Sequence, residues 1–232
     1  MQSTVIKWFK KLKLSRPGQL SQLAVDVRSP IKRRSDAIYL LGLLSGLDKL
    51  GDQERVVVIL LLKVMQEDIP LMAWSAAVAL AQIGDRSAVH ALTQIATSDN
   101  AEETKRAAIY ALGSLSDPRA APTLVRILGN KRKSTKLRAE AAEALANCGY
   151  KSKRAITALT NALQDRSVRV KFFSAFALGQ CARSGGVLSQ HAVSLLQRLA
   201  KDRGVLPRFG SVAKEASRAI RSARSNESHQ RL

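Results

Sequence analysis

The densest chemistry in this chain lies in eight consecutive residues. Lys131-Arg132-Lys133-Ser134-Thr135-Lys136-Leu137-Arg138 places five basic side chains in one short stretch. Lys and Arg at that density hold carboxylates or phosphates through charge-assisted hydrogen bonds. The stretch leads into a helix N-terminus, whose free backbone N–H groups and dipole favour the same ligands. Arg166, Arg169 and Lys171 form a second basic group, and Lys151, Lys153 and Arg154 lie between the two. Bond-making chemistry has no comparable signal. HExxH, CxxC, P-loop and GxSxG motifs are all missing from the sequence. His90 and His191 have no carboxylate near them in sequence, and His229 is close to the C-terminus. No cofactor and no metal site is expected.

Net charge supports the anion-binding reading. The chain carries +20, and the charge is unevenly placed. Residues 1–34 hold nine Lys/Arg against one acid, and residues 35–130 hold eight against eleven. Residues 131–182 hold eleven against three, and 183–232 ten against three. A near-neutral middle between basic ends reads as a patterned surface, with a solvated basic edge that binds nothing as the bland alternative.

The elements that must position these cations come from a repeat. Four segments, beginning at Met72, Thr104, Leu137 and Val170, follow one pattern, and their Ala-Leu pairs start at 79, 111, 144 and 177. Intervals of 32, 33 and 33 residues indicate stacked supersecondary units. Each unit reads as an apolar-striped helix A followed by an Ala-rich helix B, with Gly84, Gly113, Gly149 or Gly179 near the end of B. Helices A are expected near 52–66, 86–97, 118–128, 151–163 and 188–200. Helices B are expected near 69–83, 101–115, 135–148, 167–182 and 210–223. A first, degenerate pair covers Leu20–Val27 and Ile31–Leu47, and the last pair contains insertions around 183–188 and 201–208. Residues 222–232, polar and Ser-rich, read as a disordered tail. The fold expected is therefore a right-handed α-solenoid of about six helix pairs over 17–221.

Cys148 and Cys181 each stand three residues after the repeat Leu, where other units have Ile83 and Leu115. They read as buried apolar side chains rather than as a disulfide or a nucleophile. The 46% hydrophobic content is sufficient for a core, and the longest apolar run is too short to span a bilayer. A soluble cytoplasmic protein is the expectation. Residues 1–16 stand apart as a basic amphipathic segment, in which Val5, Trp8, Phe9 and Leu12 oppose Lys7, Lys10, Lys11 and Lys13. This segment reads as a cap on the solenoid, as a helix lying on a membrane surface, or as a targeting segment.

The helix-B spacing, hydrophobic-Arg-x-x-Ala-x-x-Ala-Leu-Gly, resembles HEAT repeats, in particular the bacterial phycobilin-lyase-like class, over roughly 71–183. The resemblance implies a solenoid whose B helices line a concave partner-binding surface. It also implies a ladder in which an Asp of the A–B turn pairs with the basic residue that begins helix B. That basic position holds Arg34, Lys105, Arg138 and Lys171, with Ala73 as the exception. Six residues earlier stand Asp99 and Asp165 for two of them, but Arg28 and Arg132 for the others. Arg34 and Arg138 thus lack the family partner and become candidates for an external anion. The binding residues expected are Arg34, Lys131, Arg132, Lys133, Lys136, Arg138, Arg169 and Lys171.

The leading functional expectation is a non-catalytic scaffold that docks an anionic partner on a basic edge and concave face. An acidic protein is favoured, because most solenoids of this type bind protein, with nucleic acid as a second candidate. The resemblance adds two enzyme alternatives. One is a phycobilin lyase or chromophore-detachment factor, with Arg138 or Lys171 clamping a propionate. The other is an alkylpurine DNA glycosylase, with Trp74 beside Asp36 or Glu140.

Overall fold

A computed structural model describes residues 16–230 except 48, 49, 150 and 208, with no side-chain description for 226–230. The described residues form twelve α-helices and one small hairpin. The N-terminal segment with Val5, Trp8, Phe9 and Leu12 lies outside the described residues.

The chain divides into two compact units, Met1–Leu115 and Ser116–Leu232. In the first, helices A are α1 (Pro17–Val25), α3 (Glu54–Gln66) and α5 (Val89–Thr97), and helices B are α2 (Ile31–Ser45), α4 (Pro70–Ile83) and α6 (Glu102–Leu115). Each A helix packs on its own B helix, and α4 lies between α2 and α6. In the second unit the A helices are α7 (Ala121–Gly129), α9 (Lys153–Ala162) and α11 (Gln190–Leu199). Its B helices are α8 (Thr135–Cys148), α10 (Val168–Arg183) and α12 (Val212–Gln230), with α10 between α8 and α12.

The local chemistry explains the starts. Ser134, Ser152, Ser167 and Ser189 cap α8, α9, α10 and α11 by accepting a backbone N–H. Asp117 caps the 3-10 turn that Pro118 opens, and Pro122 follows in the first turn of α7. Packing explains the repeat. Leu41, Leu80, Leu112, Leu145 and Leu178 are at most 2% exposed, and burial of each contributes about 1.5–3 kcal/mol. Small residues beside them let B helices approach closely. A Cβ on Gly42 would meet Ala79 Cα at 2.8 Å, and one on Gly179 would meet Ala219 Cα at 3.2 Å.

The glycines near the B-helix ends follow the expected bounds of 69–83, 101–115 and 167–182 to within a residue. Gly84 ends α4 with a left-handed φ of 77°, but Gly113 and Gly179 lie inside α6 and α10, which continue to Leu115 and Arg183. Gly179 is small because α12 crosses there, and not because the helix stops. The insertion near 201–208 is a two-stranded hairpin, β1 (Val205–Leu206) with β2 (Gly210–Ser211). However, α12 continues through Gln230, past the Ser222 where a tail was expected. Ala223 is buried at the start of that extension, and Ser222 returns its hydroxyl to Arg218 C=O, so both face the helix rather than leave it.

Candidate functional site

The turn between α7 and α8 is built by its own polar residues. The Asn130 side chain accepts the Arg132 N–H at 3.0 Å, and the Lys133 N–H donates to Asn130 C=O at 3.0 Å. Ser134 then starts α8, which carries Lys136 and Arg138 in its first turns. Arg138 folds back, donating from Nε to Lys133 C=O at 3.3 Å and from Nη1 to Asp165. Lys131 Nζ reaches the same Asp165 oxygen at 2.5 Å. The other Asp165 oxygen accepts the Ser167 N–H at 2.9 Å, at the start of α10. Burial pushes the Asp165 carboxyl upward, but Lys131, the Ser167 amide and Arg138 outweigh it and hold the pKa below the ordinary value. Of the five cations of this turn, Lys131 and Arg138 therefore share one buried carboxylate.

The next turn repeats the device. Lys171 of α10 bonds Asp202, whose second oxygen accepts the Gly204 N–H at 2.6 Å. In the first unit, Arg34 Nη2 bonds both oxygens of Glu67 at 2.7 Å, and its Nε donates to Ala24 C=O at 2.9 Å. Asp68, the neighbour of Glu67, accepts the Ala101 N–H at the start of α6. The rule is that a cation early in a B helix pairs with an acid in the A–B turn of the following pair. This corrects the expected ladder, which placed both partners in one pair. Asp165 serves Arg138 rather than Lys171, and no ion pair joins Asp99 to Lys105 among the described residues.

The correction changes what the candidate residues can do. Arg34 and Arg138, selected for lacking a partner, have one and are only 3% and 7% exposed. Their polar atoms hold neighbouring pairs together and are not free for a ligand. Arg34 also belongs to the first unit, away in sequence from the other candidates. Lys171 is engaged and largely covered, whereas Lys131 is paired but 66% exposed at its side chain. Arg132 and Lys136 are exposed, Lys133 and Arg169 are half-buried, and none of the four forms an ion pair among the described residues. Shared partners through Asp165 bring the 131–138 and 165–171 turns onto one edge of the second unit.

The remaining candidates have structural accounts. Cys148 and Cys181 are buried thiols, each pushed up to about 12 by burial, which makes them inert. Trp74 donates to Glu103 at 3.4 Å, its ring is 5.8 Å from Tyr110, and Arg106 lies over it at 5.8 Å. Asp36 pairs with Lys32 at 3.3 Å. On α8 the Glu143 carboxyl is raised by partial burial and then by Glu140, against the pull of Arg169. Among the described residues no group of three or more His, Cys, Asp or Glu is placed to hold a metal ion. An open depression of about 400 Å³, lined by Ser116, Ala146, Asn147, Lys151 and Ser184, lies at the other end of α8 and α10. With one cation it adds little to the basic edge. Sequence reasoning did not single out Phe209, an exposed ring on the hairpin. Its only signal was an aromatic residue inside an insertion between basic residues.

Known proteins share the architecture. A family model for HEAT repeats matches residues 58–136, and one for the PBS lyase HEAT-like repeat matches 137–165. No curated protein matches the chain at a significant level of sequence similarity. Among solved structures, a designed armadillo repeat protein in complex with the peptide (KR)4 is 17% identical, with a TM-score of 0.59 over 90% of this chain and 100% of that one. A structure of Kap95p with RanGDP is 14% identical, with a TM-score of 0.73 over 99% of this chain and 31% of that one. The CpcE–CpcF complex of phycocyanin lyase from Nostoc sp. PCC7120 is 21% identical, with a TM-score of 0.55 over 72% of this chain and 98% of that one. At these identities the likeness establishes the fold, an α-solenoid of helix pairs. The chain therefore carries HEAT repeats over residues 58–136, continued by a PBS lyase HEAT-like repeat over 137–165.

Proposed function

We propose that the protein is a non-catalytic scaffold whose second unit holds an acidic segment of a partner protein along its basic A–B edge. The observation that carries this reading is the imbalance at the 131–138 turn. Asp165 is occupied by Arg138 and Lys131, which leaves Arg132, Lys133 and Lys136 without an acid among the described residues. Arg138 and the turn hydrogen bonds fix the backbone that presents them, so little ordering entropy is lost on binding. Extended segments suit a row of turns one helix pair apart, and carboxylates suit Arg and Lys heads. Repeat solenoids of this architecture with bound peptide or protein, such as the (KR)4 and RanGDP complexes, support a protein partner in general terms.

The test is binding of a fluorescent poly-glutamate peptide to the full chain. Exchange of Arg132→Glu together with Lys136→Glu should weaken binding by at least about tenfold, because attraction becomes repulsion at two exposed sites. Unchanged affinity would sink the basic edge as the site. A single-stranded DNA of equal charge serves as competitor. Its preferential binding, with affinity falling steeply as salt rises, would transfer the edge to nucleic acid.

A further inference from the structure

The hairpin of residues 205–211 is rooted on the same edge. Lys171 ties down Asp202, and Gly204 donates to Asp202 and accepts from the Val212 N–H at 3.0 Å. Gly204 also lies against α10, since a Cβ there would come within 3.0 Å of Val168 Cγ1. The Phe209 N–H closes the turn onto Leu206 C=O at 3.1 Å, and Gly210 takes a φ of 108° that suits only glycine. This places Phe209 on two rings of α10. Its centroid is 5.3 Å from Phe173 and 6.1 Å from Phe172, and those two rings are 5.4 Å apart, edge to face. Phe172 and Phe173 are 6% and 4% exposed, whereas Phe209 is 51% exposed and Val205 of the same hairpin 63%.

One side of the Phe209 ring is therefore packed and the other is open to solvent. Supporting contacts from two buried rings restrict its rotamers before any ligand arrives. A fixed, half-open aromatic ring has the properties of a binding anchor, because it loses little side-chain entropy when its open side is covered. In the sequence flanking the hairpin, Lys201, Arg203, Lys214 and Arg218 are exposed, and Arg169 is in the first turn of α10, against which Gly204 lies. Only Asp202 and Glu215 are acidic in this stretch, and Lys171 and Arg218 engage them. A second copy of the chain is a poor occupant, since its own net charge is also +20.

We infer that Phe209 is an aromatic contact at one end of the basic edge, and that the acidic segment held there carries an aromatic or large aliphatic side chain that packs on it. This rests on the acidic-segment reading above and specifies the partner further. Cations along the edge supply attraction and register, and the ring supplies selectivity between acidic segments of equal charge.

Two fluorescein-labelled peptides of equal length and charge, built from Glu and Ser, test it with the full chain. In one of them a central Ser is replaced by Trp. The Trp peptide should bind the unaltered protein about tenfold tighter. That advantage should vanish in Phe209→Ser and persist in Phe209→Tyr, while the plain peptide binds all three proteins alike. An advantage that survives Phe209→Ser overturns the inference and leaves the basic edge standing. Weaker binding of the plain peptide to Phe209→Ser also overturns it, by making the ring a support for the edge. Failure of both peptides to bind the unaltered protein overturns the acidic-segment reading itself. Tighter binding of a single-stranded DNA of equal charge than of either peptide overturns the protein occupant.

Discussion

Asp165 decides the behaviour of the basic turn at the residue scale. It is 7% exposed and receives Lys131, Arg138 and the Ser167 amide. Asp165→Ala would leave Arg138 charged, buried and unpaired, at a cost of about 3–5 kcal/mol. Lys131→Ala removes a mostly exposed partner and should cost less than about 1 kcal/mol. Urea unfolding of both variants measures the difference, and equal losses would contradict the assignment. The pH dependence follows with its sign. The folded carboxyl lies below its ordinary value of 3.8, so its contribution is complete above that value and is lost as pH falls through the depressed one. Asp165→Asn should therefore lose less stability than the unaltered protein on acidification below about pH 4. A steeper acid loss in the variant would contradict the pairing.

Within each unit the elements are set by how closely B helices approach. Gly42 on α2 faces Ala79 backbone at a distance that leaves no room for a methyl group, while the Gly179–Ala219 contact is some tenths of an ångström looser. Gly42→Ala should cost about 1–3 kcal/mol, since a backbone must shift, and Gly179→Ala should cost less. Thermal or urea unfolding of the two variants checks the order. The sequence made the helix pairs legible, with α8 running from Thr135 to Cys148 as its pattern indicated. It placed Gly84 just past a helix and Gly179 inside one, but only the structure shows that α12 crosses at Gly179. The ladder was misread for a related reason. Asp165 precedes Lys171 by six residues but faces Arg138 of the preceding pair, because a turn touches the next pair across the stack.

Charge is the property of the whole molecule. Ser116–Leu232 holds 23 Lys/Arg against 7 Asp/Glu, whereas Met1–Leu115 holds 15 against 11. Several of the seven acids are already engaged, as Asp117 is by Arg119 and Glu215 by Arg218. The second unit therefore repels itself at low ionic strength. Raising sodium chloride from about 0.05 to 0.5 M should raise the melting temperature through screening. A fall would indicate that net attraction dominates the surface. The same rise in salt should weaken poly-glutamate binding, so stability and binding should respond in opposite directions. No helix among the described residues is long and apolar enough to cross a membrane.

By itself the sequence determined the repeat, the helix pairs, the buried cysteines and the concentration of positive charge. Each follows from periodicity or from counting, and neither needs a partner in space. Tertiary structure decided which cations are available. Arg34 and Arg138 appeared unpaired along the chain, yet each is joined to an acid 33 or 27 residues later. It also decided that Phe209, inside an insertion with no repeat counterpart, rests on two rings of α10 with one side open. Pairing across stacked turns depends on which loops the packing of helices brings together, and that distance is not written in local spacing.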